Sequence, residues 1–91
     1  MQIQIKRDLT VLRIFIRSER LRRNISQENT ASYLGISQNS FSKIELGRVK
    51  ISIEQLLILA DIFEMRITDL LNLKKLTFVL EQRERSDKLV N

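Results

Sequence analysis

The sequence predicts an all-α bundle, and three observations carry that prediction. The 91-residue chain holds 14 Leu and 12 Ile but only 2 Gly and no Pro, too few turn residues for a sheet-rich domain of this size. Apolar residues recur at helical spacing in successive segments, and Gly35 and Gly47 stand where two of those segments stop. Hydrophobic residues are 43% of the chain and charged residues 30%, the balance of a chain that buries a core and not of a disordered tail. The length fits one domain, since compact domains cluster at about 100–150 residues.

The first helix is expected from Asp8, a candidate N-cap, to Arg23, with Leu9, Leu12 and Ile16 on one stripe. Ser26 caps the second, in which Ala31 and Leu34 face inward before Gly35. Ser37 caps the third, which carries Phe41 and Ile44 and stops near Gly47, as glycine stops helices at C′. Ser52 starts the fourth, with Ile53, Leu56, Leu57, Leu59, Ala60 and Phe63. Thr68 starts a short fifth through Leu71. The ends are ambiguous. Ile3 and Ile5 alternate with Gln2 and Gln4, fitting a short strand or an early helical turn. Leu76, Val79 and Leu80 have helical spacing, yet Leu76 to Leu80 also reads as a strand-like run. The polar residues Arg83 to Asn91 are expected to fray. Along the first helix, Val11, Ile14 and Phe15 form a second apolar face that must also be buried. Leu76, Phe78, Val79 and Leu80 are expected to cover it, in the same chain or across a dimer.

Composition removes several classes of function. Cys and His are absent, which excludes disulfides, zinc fingers, Cys or His nucleophile systems and a His general base. The carboxylates are scattered, with neither a glycine-rich loop nor a metal-ligand cluster. The expectation is therefore no catalytic residue, no metal and no cofactor. Without an eighteen-residue apolar run or a signal-peptide core, the chain is expected to be cytoplasmic and free of membranes. Residues 1–50 carry a net charge of +6 and residues 51–91 a net of −1. A basic half beside a near-neutral half suggests a surface for a polyanion.

The informative stretch runs from Gln27 to Glu45. Two helices that cross at about 90–120° approach closely at one point, which demands a small residue such as Ala31. The turn between them needs a positive φ, which Gly35 adopts without strain. Leu34, Ile36, Phe41 and Ile44 are then the apolar residues that both helices share with the core. An ordinary helical hairpin would need only the glycine. The full spacing, with both serine caps and a polar outer face on the third helix, favours a helix-turn-helix.

Residues 12–71 resemble the Cro/repressor-type helix-turn-helix family, also called the xenobiotic-response-element family. Arg20, Ile25-Ser26-Gln27-Glu28, Ala31, Leu34-Gly35-Ile36-Ser37-Gln38, Ser42-Lys43-Ile44-Glu45 and Gly47 carry the likeness, as do Ser52-Ile53-Glu54, Leu56 and Ala60. The resemblance implies a five-helix lambda-repressor-like bundle over residues 8–73, with 74–91 as a C-terminal extension for dimerisation or for packing on the first helix. It implies a regulator that binds double-stranded DNA as a homodimer on a palindromic operator, acting as a repressor or autoregulator. Family positions and helix geometry together assign base reading to Gln38, Asn39 and Lys43, with Ser40 and Ser42 nearer the backbone. Gln27, at a helix N-terminus, is implied to hold a phosphate and brace the recognition Gln. Arg48 and Lys50 follow the third helix and suit phosphate by charge. Arg20 lies on the Leu9–Leu12–Ile16 face, where a charge needs a partner, and the family pairs it with Glu45. Arg13, Arg17, Arg22 and Arg23 receive no individual role. Thr30, Glu19, Ile51 and Leu46 depart from the family pattern, Leu46 standing where a polar residue often contacts phosphate. The alternative function is a protein-interaction module or an antitoxin subunit, whose main partner would be another protein such as a toxin.

Overall fold

Serine hydroxyls start three of the helices. The computed structural model describes residues 5–90 and places six helices among them: α1 (Ile5–Arg22), α2 (Gln27–Leu34), α3 (Gln38–Glu45), α4 (Ile53–Ile62), α5 (Ile67–Leu70) and α6 (Leu73–Val90). Ser26, Ser37 and Ser52 sit in extended backbone and accept from the N–H of Asn29, Ser40 and Gln55. Gln55 accepts in return from the Ser52 N–H at 2.9 Å, completing a capping box.

Four helix ends share one device. Asn24, Gly35, Gly47 and Glu64 all have positive φ, between 53° and 77°. In each case the left-handed residue donates back three residues and its successor donates back five, as in Ile36 N–H to Ala31 carbonyl at 3.0 Å and Met65 N–H to Ala60 carbonyl at 2.9 Å. This is the Schellman closure, which satisfies carbonyls that the helix leaves unpaired.

Several boundaries differ from expectation. Asp8 is not an N-cap, because α1 already begins by Ile5 and Asp8 lies in its first turn. Acidic charge there still complements the helix dipole. Thr68 is inside α5, whose cap position is Arg66, a residue that makes no side-chain capping bond to the helix backbone. The polar C-terminus continues helically to Val90 instead of fraying, which resolves the ambiguity at 76–80 in favour of helix. Residues 1–4, where Gln2, Ile3 and Gln4 of the alternating N-terminal pattern fall, lie outside the described residues.

Leu12, Phe15, Ile16, Ala31, Phe41, Leu56, Leu59, Ala60, Phe63, Leu70 and Leu76 form one buried cluster. Both faces of α1 enter it. Leu12 and Ile16 supply one face; Phe15 supplies the other, with Val11, Val79 and Leu80 packed around the cluster. The cover for the second face is therefore α6 of the same chain, which packs along α1. Arg83 fastens this packing. Its guanidinium donates to Ser18 Oγ and Glu19 Oε2, both at 2.7 Å, and lies 5.3 Å from the Phe15 ring centre. Burial pushes the Glu19 carboxyl up, but hydrogen bonds from Arg83 and Arg23 outweigh it and leave the group below its ordinary value.

Not every apolar residue of the pattern is inside. Leu9, Ile14, Ile53, Leu57, Leu71 and Phe78 are exposed. Ile53 and Leu57, one turn apart, share the outer edge of α4; Ile14 and Phe78 flank an open groove between α1 and α6. Thr30 is fully buried, and its hydroxyl donates to the Ser26 carbonyl at 3.0 Å. That internal bond is what lets a polar residue occupy a fully buried position.

Candidate nucleic-acid interface

The corner between α2 and α3 is built from three small features. Ala31 is buried where the two helices approach. Gly35 turns the chain at φ 69° with its N–H on the Ser32 carbonyl. Ser37 then restarts the helix. Its Oγ accepts the Ser40 N–H at 3.0 Å and its hydroxyl donates to Ser40 Oγ at 2.9 Å.

On α3, Phe41 and Ile44 point into the protein. Gln38, Asn39, Ser40 and Lys43 are exposed, and Ser42 is half-buried. At 100° per residue Asn39 and Lys43 fall on one outward strip, with Gln38 and Ser42 on the adjoining edge. Leu46 shares the outward strip and is exposed. Ser40 lies on the far side of the helix from Gln38, and its hydroxyl is engaged with Ser37.

Below this face, Glu45 is 9% exposed and Arg20 6%. Arg20 Nε and one terminal nitrogen hold the two Glu45 oxygens at 2.7 and 3.1 Å, a bidentate pair that joins α1 to α3. The other terminal nitrogen of Arg20 donates to the Ile25 carbonyl at 2.9 Å. Gln27 Nε2 donates to Glu45 Oε1 at 2.9 Å. The side-chain amide of Gln27 is thus turned onto Glu45 and not onto Gln38. Ser26 Oγ caps the Asn29 N–H, and the first N–H groups of α2, at Gln27 and Glu28, have no carbonyl within the helix to satisfy them.

Arg48 and Lys50 are exposed in the α3–α4 loop. Gly47, at φ 77°, fixes the loop's departure, and the Arg48 N–H donates to the Lys43 carbonyl at 2.9 Å. Arg13 has no role that its sequence position alone assigns. Here it donates to the last carbonyl of α3, that of Glu45, at 3.3 Å and to Thr10 Oγ1 at 3.2 Å, lying so close over Gly47 that a Cβ there would sit 2.5 Å from its Cζ. Arg23 does the same for α4, donating to the Phe63 carbonyl. A cation at a helix C-terminus meets the negative end of the dipole. The signal for Arg13 was available: it stands seven residues before Arg20, on the same face of α1.

The helix-turn-helix family model matches residues 16–70, from the middle of α1 to the end of α5. The chain belongs to the helix-turn-helix family. It is accordingly a DNA-binding transcriptional regulator, from a class of regulatory domains that are not typically enzymes. No curated protein and no solved structure matches the chain at a significant level. In this helix-turn-helix, α2 and α3 are the two motif helices, and α1, α4 and α5 surround them within the matched span. α6 lies beyond the match and braces α1. Among the described residues no helix is long and apolar enough to cross a membrane, and no cluster of carboxylates could hold a metal ion.

Proposed function

We propose that this helix-turn-helix protein is a sequence-specific repressor or autoregulator of the Cro/repressor type, acting as a homodimer on a palindromic operator. Residues 8–73 are its DNA-binding unit, and the extension 74–91 stiffens the first helix. α3 enters the major groove by its N-terminal end, the geometry by which such helices meet base edges. Gln38 and Asn39 suit the N6/N7 edge of adenine, and Lys43 suits O6/N7 of guanine. Ser40 and Ser42 lie toward the sugar-phosphate backbone. Gln27 brings the N-terminus of α2 to a phosphate through its backbone N–H, while its side chain holds Glu45. Arg48 and Lys50 contact phosphate from the loop.

One observation carries this reading: the corner at Gly35 leaves the polar strip of α3 exposed while its opposite face is locked into the core. A solvated helix face needs no such corner. Selection of bound duplexes from a random pool identifies the operator and shows whether it is palindromic. Half-sites centred about 34–36 Å apart are expected for a twofold dimer. Gln38→Ala and Lys43→Ala should each lose roughly 1–3 kcal/mol on the selected site and relax preference at one position per half-site. Arg48→Ala and Lys50→Ala should weaken all sequences alike and make the salt dependence shallower by about one unit each. An unchanged ratio of selected to scrambled binding in both α3 variants would mean that this helix does not read sequence.

A further inference from the structure

A cavity of about 370 Å³ opens between the start of α1 and the α3–α4 loop. Its walls are apolar, from Leu9, Leu12, Ile44, Val49 and Ile51. Three cationic side chains, Lys6, Arg13 and Lys50, line it as well, and no carboxylate does among the described residues. Leu9 and Val49 are 42% and 48% exposed although their neighbours Leu12 and Ile44 belong to the buried interior. The volume lies at the lower end of the range for small-molecule sites, roughly 300–1,000 Å³. Apolar walls with a few convergent charges of one sign select an apolar body with a head of the opposite sign.

We propose that this cavity is an effector site for a small amphipathic carboxylate, and that its occupancy opposes DNA binding. The apolar tail replaces water against Leu9, Val49 and Ile51. The carboxylate meets Lys6 and Lys50, which both line the opening, while Arg13 is already fixed by the Glu45 backbone carbonyl and Thr10. Lys50 is a phosphate contact in the function proposed above, and the same loop carries Arg48. A carboxylate on Lys50 therefore competes with a DNA phosphate for one cation. Binding energies are reciprocal, so DNA must weaken the ligand as much as the ligand weakens DNA. This inference rests on the DNA-binding reading for its coupling, and on the cavity alone for its ligand.

The probe is octanoate, with octanol as its uncharged counterpart. Methyl resonances of Leu9, Ile44, Val49 and Ile51 report binding to the full chain without DNA. Octanoate should shift them saturably and bind about fivefold tighter than octanol, the gain expected from ion pairing with exposed lysines. Lys6→Gln should remove most of that preference, and Leu9→Trp should fill the cavity and abolish binding. Saturating octanoate should weaken binding to the selected duplex by roughly tenfold, within the usual span of coupling; Leu9→Trp should bind DNA normally and ignore octanoate. Equal affinities for octanoate and octanol overturn the carboxylate assignment, and no shift at all overturns the site. Octanoate that binds without changing DNA affinity overturns the coupling. A chain that binds octanoate as described but binds no duplex refutes the function proposed above and leaves the ligand assignment standing, so the two failures are distinct.

Discussion

Burying Arg20 against Glu45 strips both groups of water, and three further polar contacts offset that cost: the second guanidinium bond to Glu45, the Ile25 carbonyl and the Gln27 amide. Glu45 thus holds α1, α2 and α3 at one point. Removing one partner leaves the other charge buried and unpaired, so Arg20→Ala and Glu45→Ala should each cost about 3–5 kcal/mol. Gln27→Ala removes a single hydrogen bond to a charged acceptor and should cost less, about 1.5–3 kcal/mol. Chemical denaturation of the three variants gives the order directly; a Gln27 variant as damaged as the other two would contradict it. Arg20 was legible because a charge on an apolar stripe demands a partner. Arg13 shares that face, but its partner is the Glu45 carbonyl at the end of α3, and Arg23 adds the Phe63 carbonyl to its bond with Glu19. A carbonyl leaves no residue type in the sequence to point to it.

Three helix starts and two helix ends carry a residue type that marks them. The three serine caps announce themselves because Ser is poor inside a helix and good before one. Gly35 and Gly47 likewise mark left-handed closures, but Asn24 and Glu64 make the same closure without glycine, and Glu64 in particular carries no sequence sign of it. Asp8 misled in the opposite way, as an acceptable cap placed inside a helix that starts earlier. These ends differ in stored strain, which can be measured. Gly35 has nothing within 4 Å of an added Cβ, so Gly35→Ala pays only the left-handed penalty of about 1–2 kcal/mol. Gly47→Ala must also displace the Arg13 guanidinium from the end of α3, and should lose more. Glu64→Gly runs the other way: it relieves a similar left-handed penalty against a glycine entropy cost of about 0.5–1 kcal/mol, for a net gain of roughly 0.5 kcal/mol. Denaturation midpoints that rank Gly35→Ala below Gly47→Ala, or a destabilised Glu64→Gly, would refute this ordering.

Across the whole molecule, α6 converts a motif-bearing bundle into a braced one. The need for such a cover was visible, because α1 is apolar on two faces; its form was not, because five residues from Leu76 to Leu80 satisfy both helical and strand patterns. Leu76 is 1% exposed, so Leu76→Ala should cost about 2–5 kcal/mol. Deleting residues 73–91 uncovers Phe15 and should yield an unstable, aggregating chain and not a folded monomer, as sedimentation and melting would show. Arg83 and Glu19 add a pH-dependent part to the brace. The Glu19 carboxyl is held below its ordinary 4.5 in the folded protein. A depressed carboxylate stabilises the fold at every pH above the unfolded value, and that contribution disappears as pH falls through the folded value. Glu19→Gln removes the titration while keeping the shape, so it should melt lower than the parent protein at neutral pH. The two melting curves should then converge as pH drops below about 4.5, with the parent losing stability and the variant losing less. A gap that stays constant down to the acid limit would show that Glu19 braces α6 through packing alone, without its charge.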